Sequence, residues 1–320
     1  MSRNAPRKVL LTFDVEGIPP QEDHLDNVSL TCLRSVLDLL REFRFQAILF
    51  VPASVAEQLY RHPEIIELMS SNRIGYHGAV HSIRPMILEY TDVPDYQTAL
   101  ELSIKRETSH INPETGKTVD PGGILSLKRV FPENNIVCFR APFLAWSPPH
   151  LDALKQFGVR FDFSSYISDN PVNFKGITFY PGPIPIDGIL ATLVNRMEQK
   201  SFPVSIESLL LRKKVSVLLM HPSSLVFNKS YSATGKKAEM WSDIKVKFAL
   251  SLLRFLFERI SLMQKSNLIE VTSHLSDNWK TLCSESVDLN RLYWLSVKNP
   301  MKIFQYRPRH TFKHFTCFFD

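Results

Sequence analysis

The sequence contains few cysteines and places none of them close together. Only Cys32, Cys138, Cys283 and Cys317 occur in 320 residues, and no two of them form a CxxC pair. A disulfide framework or a thiolate zinc site would need more cysteines at closer spacing. We therefore expect reduced and mostly buried thiols.

Long apolar runs are also missing. The first 17 residues show no apolar core before a cleavage site. The longest apolar-looking stretch, residues 248–263, is interrupted by Arg254, Glu258 and Arg259, which makes it too charged and too short to span a bilayer. These features predict a soluble, cytoplasmic protein.

Half of the positive charge excess lies in the last 40 residues of the chain. The formal net charge is +6, and residues 281–320 hold six Lys and Arg against three acids. The remainder is too evenly balanced for a nucleic-acid groove along the protein, so no nucleic-acid partner is expected.

Short apolar runs alternate with segments of helical spacing. KVLLTF (8–13), QAILFVPAS (46–54) and KVSVLLMH (214–221) read as buried strands, whereas residues 28–43 and 53–70 read as helices. This alternation predicts an α/β fold with a parallel sheet, open or closed. In such folds the active site lies at the carboxyl ends of the strands. Polar candidates follow the predicted strands: Asp14, Glu16, His77, Arg140 and His221.

Two pairs of residues have the spacing of metal ligands. On an extended strand Asp14 and Glu16 share a face, and two buried carboxylates need a counter-charge. His77 and His81, four residues apart, can aim both imidazoles at one point from a helical turn or a helix-like loop. Taken alone, the carboxylates fit an exposed strand end, and the histidines fit two unrelated surface residues. Glu16, His77 and His81 together would form a hydrolytic metal set with open positions.

The remaining candidates each allow two interpretations. Arg140 is either a turn residue at the surface or a cation that keeps a carboxylate ionised. Pro142 stiffens the loop after Arg140, which could present a backbone N–H to an oxyanion. His221 is either a proton donor or a capped core residue.

Four segments resemble, in order, successive motifs of the polysaccharide deacetylases, the NodB-homology enzymes of carbohydrate esterase family 4. They are TFDVEG (12–17), IGYHGAVH (74–81), FRAPF (139–143) and LMH (219–221), and the resemblance covers about residues 8–278. The family implies a distorted (β/α)7 barrel that removes acyl groups from sugars with one divalent metal ion. Zinc is the first expectation, and cobalt, manganese or nickel are alternatives.

The resemblance also implies residue roles. Asp14 would be the general base, oriented by Arg140. The N–H of Phe143 would complete the oxyanion hole, and His221 would protonate the leaving amine. Asp162 lies in FDFSS, which matches the fourth family motif poorly, and would pair with His221 or Arg140 or be only a strand residue. The metal ligands would be Glu16, His77 and His81.

The Asp-Val-Glu spacing resembles that of a subset of the family, including WbmS-type deacetylases of surface-polysaccharide gene clusters. It implies hydrolysis of an N-acetyl or N-formyl group on an amino sugar in surface-polysaccharide (O-antigen-like) biosynthesis. The substrate would be a sugar nucleotide, a lipid-linked sugar or a glycan. The alternatives are a metal-free amidohydrolase of a small amide, or a catalytically silent carbohydrate-binding barrel.

Two regions are predicted along the chain. Residues 1–280 would form the catalytic barrel. Residues 281–320 would form a basic, aromatic C-terminal extension. This extension would pack on the barrel or contact the inner, cytoplasmic face of a membrane.

Overall fold

The structure is a computed structural model, and it confirms a distorted α/β barrel built on a parallel sheet. The chain alternates strands and helices as the apolar pattern predicts. The residues that the structure describes are 6–19, 21–81, 96–111, 118–119, 122–144, 148–164, 170–174, 176–197, 206–227 and 239–276.

Twelve strands occur in the described part of the chain. They are β1 (Arg7–Asp14), β2 (Ile48–Val51), β3 (Arg73–Tyr76), β4 (His110–Ile111), β5 (Thr118–Val119), β6 (Cys138–Phe139), β7 (Phe161–Asp162), β8 (Val172–Phe174), β9 (Ile177–Phe179), β10 (Ile184–Pro185), β11 (Val215–Met220) and β12 (Ile269–Val271). The main sheet has the order β10-β11-β1-β2-β3-β6-β7-β9-β8, and β12 also pairs with β1. Its pairings are parallel except that of β8 with β9, and β4 and β5 form a separate antiparallel pair.

Helices cover the outer side of this sheet. They are α1 (Asn27–Phe43), α2 (Ala53–Leu59), α3 (Pro63–Ser70), α4 (Tyr96–Thr108), α5 (Gly123–Val130), α6 (Pro148–Gln156), α7 (Ile186–Asn195), α8 (Ile206–Leu210) and α9 (Asp243–Lys265). The main apolar core lies between helices and strands and includes Val9, Leu11 and Phe13 of β1.

A second, smaller core fills the inside of the curled sheet. Leu10, which alternates with the outward-packed Val9 and Leu11, belongs to this inner cluster. Phe50 of β2 and Phe163, which follows β7, approach with ring centroids 5.3 Å apart. Because β3 and β6 separate β2 from β7 in the sheet, this contact requires the sheet to curl into a barrel.

The single helix expected over 53–70 is wrong, because two helices occupy that range. The first ends at Leu59 and the second begins at Pro63. Proline has no N–H to donate and restricts the residue before it to extended conformations, so it starts a new helix more readily than it continues one. The apolar spacing runs through both helices and hides the break.

Two of the predicted buried thiols are described, and both are buried and free: Cys32 and Cys138. Burial raises the pKa of each to about 12, so neither is a reactive thiolate at neutral pH. Cys283, Cys317 and the predicted extension 281–320 lie outside the described residues. Among the residues that are described, no helix has the length and apolar character needed to cross a membrane.

Candidate metal and acid–base site

Strand β1 delivers two carboxylates to the mouth of the barrel. Leu10, Thr12 and Asp14 alternate along its inner side, so apolar packing gives way to polar groups as the strand approaches its carboxyl end. Asp14 and Glu16 are 3% and 4% exposed, so the expectation of an exposed strand-end pair is wrong. Two buried carboxylates at this distance along the chain require cations or hydrogen-bond donors.

Gly17 allows the chain to fold back directly after Glu16. Its N–H donates to the carbonyl of Glu22 at 2.8 Å, and a Cβ atom at this position would lie 1.9 Å from the carbonyl oxygen of His24. Only glycine tolerates that close backbone approach. The loop is thereby closed against the strand end.

Arg140 is fully buried inside the barrel, and it supplies the positive charge that the carboxylates need. Its Nη1 lies 2.7 Å from Asp14 Oδ1, and its Nη2 donates to Thr12 Oγ1 at 2.8 Å. The guanidinium also lies 4.3 Å from the ring centre of Phe50, within the range of a cation–π contact. The surface-turn interpretation of Arg140 is therefore wrong.

These charges determine the protonation state of Asp14. Burial raises the pKa of Asp14, but the charges of Arg140, His77 and His221 outweigh that effect and leave the pKa below its ordinary value. Asp14 Oδ1 is engaged by Arg140, whereas Oδ2 faces His77 Nε2 at 3.8 Å and His221 Nε2 at 3.5 Å. Asp14 is thus an ionised carboxylate with one oxygen directed into the site.

The two spaced histidines lie on a loop rather than on a helical turn. Gly78 has a φ of +84°, a conformation that glycine adopts readily and that turns the chain after His77. The N–H groups of Ala53 and Ser54, at the start of α2, donate to the carbonyls of Gly78 and Ala79. These N–H groups have no acceptor within the helix, and by donating to the loop carbonyls they hold the loop in place.

Glu16, His77 and His81 converge into a set that could hold a metal ion. One donor atom from each residue lies within 4.8 Å of the others, and all three residues are buried. Glu16 Oε2 is 2.8 Å from His81 Nε2 and 3.8 Å from His77 Nε2. Zinc bonds of about 2.0–2.1 Å place tetrahedral ligands roughly 3.3 Å apart, which lies between these two distances.

The tautomer of His77 suits metal binding. Its Nδ1 lies 2.7 Å from the carbonyl oxygen of Arg140, and because a carbonyl only accepts, Nδ1 carries the hydrogen. In the neutral ring Nε2 then has a free electron pair. Within the described residues this buried Nε2 has no hydrogen-bond partner. The donor set therefore fits a divalent cation.

His81 is fixed from outside the set by an aspartate that the sequence did not single out. Asp23 Oδ1 accepts the backbone N–H of His81 at 2.5 Å and the hydroxyl of Ser54 at 2.8 Å. Burial lowers the pKa of His81, but Glu16 and the nearby acids Glu22 and Asp23 raise it to a net value above the ordinary one. A metal ion at His81 would therefore displace a proton.

His221 lies on the opposite side of the two carboxylates, and its partner is Asp187. His221 Nε2 is 3.1 Å from Glu16 Oε1, whereas His221 Nδ1 is 2.5 Å from Asp187 Oδ2. Asp187 also accepts the backbone N–H of His221 at 3.0 Å and the hydroxyl of Ser224 at 2.8 Å. This carboxylate fixes the orientation of the His221 ring.

Asp162, for which pairing with His221, pairing with Arg140 and a plain strand position are the expected alternatives, lies in β7, and His221 Nδ1 is held by Asp187. Asp162 is fully buried, and its two oxygens accept the N–H of Ser164 at 3.0 Å and the hydroxyl of Ser164 at 2.8 Å. Asp187 holds His221 because it follows β10, the neighbour of β11, whereas β7 lies several strands away. Asp187 also follows a strand end. Because prolines are rare inside strands, the sequence GPIPID (182–187) does not predict the short strand β10 that precedes Asp187.

Phe143 lies in a short 3₁₀ helix, Pro142–Leu144, directly after Arg140 and Ala141. Phe143 thus follows Arg140, the partner of Asp14, by three residues. The role of its N–H as an oxyanion donor stays a prediction.

Comparison with known proteins gives structural likenesses only. No protein-family model matches the chain, and neither does any curated protein. Solved structures with a similar arrangement include one from Mycobacterium smegmatis that is described as a polysaccharide deacetylase. It is 15% identical in sequence, the TM-score is 0.45, and the match covers 87% of this chain and 97% of that one. The catalytic domain of a peptidoglycan N-acetylglucosamine deacetylase from Eubacterium rectale gives 13% identity, a TM-score of 0.41, and coverage of 88% and 94%.

A carbohydrate esterase family 4 pseudoenzyme from Bacillus anthracis is also similar, with 11% identity, a TM-score of 0.39, and coverage of 87% of this chain and 64% of that one. At such identities and scores, we base the functional argument on the side chains of the site.

The candidate metal set predicts that His81→Ala removes bound metal. We expect about one divalent ion per chain in the parent protein and little in the variant, because one of three protein ligands is lost. Elemental analysis of protein purified without chelators or a His-tag measures this. His274→Ala is the matched control, since His274 is exposed and lies outside the set. A parent without metal after zinc addition, or equal metal in both variants, contradicts the prediction.

Proposed function

We propose that this protein is a metal-dependent deacetylase that hydrolyses the N-acyl group of an amino sugar. The observation that supports this most strongly is the position of ionised Asp14. It lies between the Glu16/His77/His81 set on one side and the Asp187-held His221 on the other. A base, a metal set and a potential acid within one buried cluster are the groups that metal-assisted amide hydrolysis needs.

Asp14 acts as the general base in this proposal. Arg140 holds Oδ1, so Oδ2 is the oxygen that takes a proton from the attacking water. The lowered pKa of Asp14 keeps it ionised and ready to accept that proton at neutral pH. A divalent metal ion, when bound, would supply a Lewis acid that polarises the acyl carbonyl and acidifies the water.

His221 acts as the general acid. Its Nε2 points at the carboxylates, on the side of the site opposite His81, and can donate a proton to the leaving amine nitrogen. Because Asp187 holds Nδ1, the ring stays in the orientation that presents Nε2. The N–H of Phe143 is the proposed donor to the developing oxyanion.

The substrate class follows from the resemblance of the motifs. The Asp-Val-Glu segment suits the WbmS-like subset, so we propose an N-acetyl or N-formyl amino sugar in surface-polysaccharide biosynthesis as the substrate. Its carrier would be a nucleotide, a lipid or a glycan. Zinc is the proposed ion, and cobalt, manganese or nickel would also suit the two imidazoles and one carboxylate.

Asp14→Asn should lower turnover about 10²–10⁴-fold, because the amide cannot take the proton from water. Sugar binding should change little. Acid release from N-acetyl and N-formyl amino sugars measures turnover, and calorimetry measures binding. Asp38→Asn, an exposed acid on α1, is the control. Unchanged turnover in Asp14→Asn would exclude Asp14 as the base. A parent that binds sugars but releases no acid would favour the silent carbohydrate-binding barrel.

Asp187→Asn should lower kcat by a factor of about 10²–10⁴ while KM changes little, because the asparagine holds Nδ1 of His221 less firmly and Nε2 loses the orientation from which it donates. Steady-state kinetics measure kcat and KM separately. A kcat equal to that of the parent would show that Asp187 does not position His221.

A further inference from the structure

The peptide unit between Arg140 and Ala141 is hydrogen-bonded on both of its polar groups. The carbonyl oxygen of Arg140 accepts from His77 Nδ1 at 2.7 Å, and the N–H of Ala141 donates to Ser164 Oγ at 2.8 Å. His77 is 1% exposed, and Ser164 is fully buried. Because a peptide unit is planar, these two contacts fix the same rigid group.

The chain of donors continues to Asp162. Ser164 Oγ accepts from Ala141, so its own hydrogen is available for Asp162 Oδ2 at 2.8 Å. Asp162 Oδ1 accepts the N–H of Ser164 at 3.0 Å, which fixes the carboxylate in this orientation. From His77 onward, each donor therefore points toward a buried carboxylate.

A chain with all donors in one direction is cooperative. A carboxylate that accepts the hydroxyl hydrogen makes the hydroxyl oxygen a better acceptor, and a peptide whose N–H is well bonded has a stronger carbonyl acceptor. Asp162 therefore strengthens the hold of the Arg140 carbonyl on His77 Nδ1, two hydrogen-bonding groups away. A stronger hold on Nδ1 makes Nε2 a better electron-pair donor.

We propose that Asp162 and Ser164 are positioning residues for the metal site. Through the Arg140–Ala141 peptide they fix the tautomer and orientation of His77, so that Nε2 faces Glu16 Oε2 at 3.8 Å. The arrangement has the logic of a carboxylate–histidine–metal triad, with a serine and a peptide unit inserted between carboxylate and imidazole. This inference rests on the metal site of the proposed function.

The test compares zinc affinities by competition with a chromophoric chelator. Ser164→Ala removes the acceptor of the Ala141 N–H, and Asp162→Asn removes the negative charge at nearly constant volume. Ser216→Ala is the matched control: Ser216 is equally buried on β11, and its hydroxyl has no hydrogen-bond partner within the described residues. Circular dichroism and melting temperatures verify folding, and Asp162→Asn serves as the test if Ser164→Ala does not fold.

We expect Ser164→Ala and Asp162→Asn to weaken zinc binding about 10–100-fold, whereas Ser216→Ala stays within about twofold of the parent. The visible spectrum of the Co²⁺-loaded Ser164→Ala protein should also differ from that of the parent. Folded variants with zinc affinity and Co²⁺ spectrum equal to those of Ser216→Ala would overturn the positioning role and leave the proposed function intact. A parent that binds no zinc would overturn both.

Discussion

The buried ion pair of Arg140 and Asp14 is the interaction on which the site depends. The guanidinium lies inside an otherwise largely apolar barrel, against Phe50, and is fully buried. An unpaired charge there would cost about 3–5 kcal/mol, and Asp14 Oδ1 supplies the hydrogen-bond partner that avoids this cost. Thr12 accepts from the second guanidinium nitrogen and donates to the carbonyl of Leu218 at 2.6 Å, which links the pair to β11.

The order of strands explains why Asp14 and Glu16 lie between the candidate metal-binding histidines and His221. β1 is central, and it places Asp14 and Glu16 in the middle of the site. β3 lies on one side and leads to His77 and His81, whereas β11 lies on the other and leads to His221. The two histidines of the candidate metal set and the prospective acid His221 therefore face the same two carboxylates from opposite directions. Parallel pairing brings all of these strand ends to one rim of the barrel.

The sequence predicts the parts of this site that depend on spacing along one segment. The alternation of Asp14 and Glu16 and the interval between His77 and His81 follow from strand and loop geometry. Contacts between distant segments are not encoded in local spacing. The partner of His221 is Asp187 rather than Asp162 because β10 is the neighbour of β11, and that adjacency becomes visible only in the folded sheet. The apolar stripe runs through both α2 and α3, so spacing alone predicts one helix over 53–70 where the structure has two.

Titration of metal-depleted protein with Zn²⁺ or Co²⁺, with acetate release from N-acetyl amino sugars as the readout, tests the account most directly. The account predicts that acetate release rises linearly with added metal and reaches its maximum at about one ion per chain. Acetate release that is equal in depleted and loaded protein would contradict a metal-dependent deacetylase. Absence of acid release at full metal occupancy, from both N-acetyl and N-formyl amino sugars, would contradict it as well.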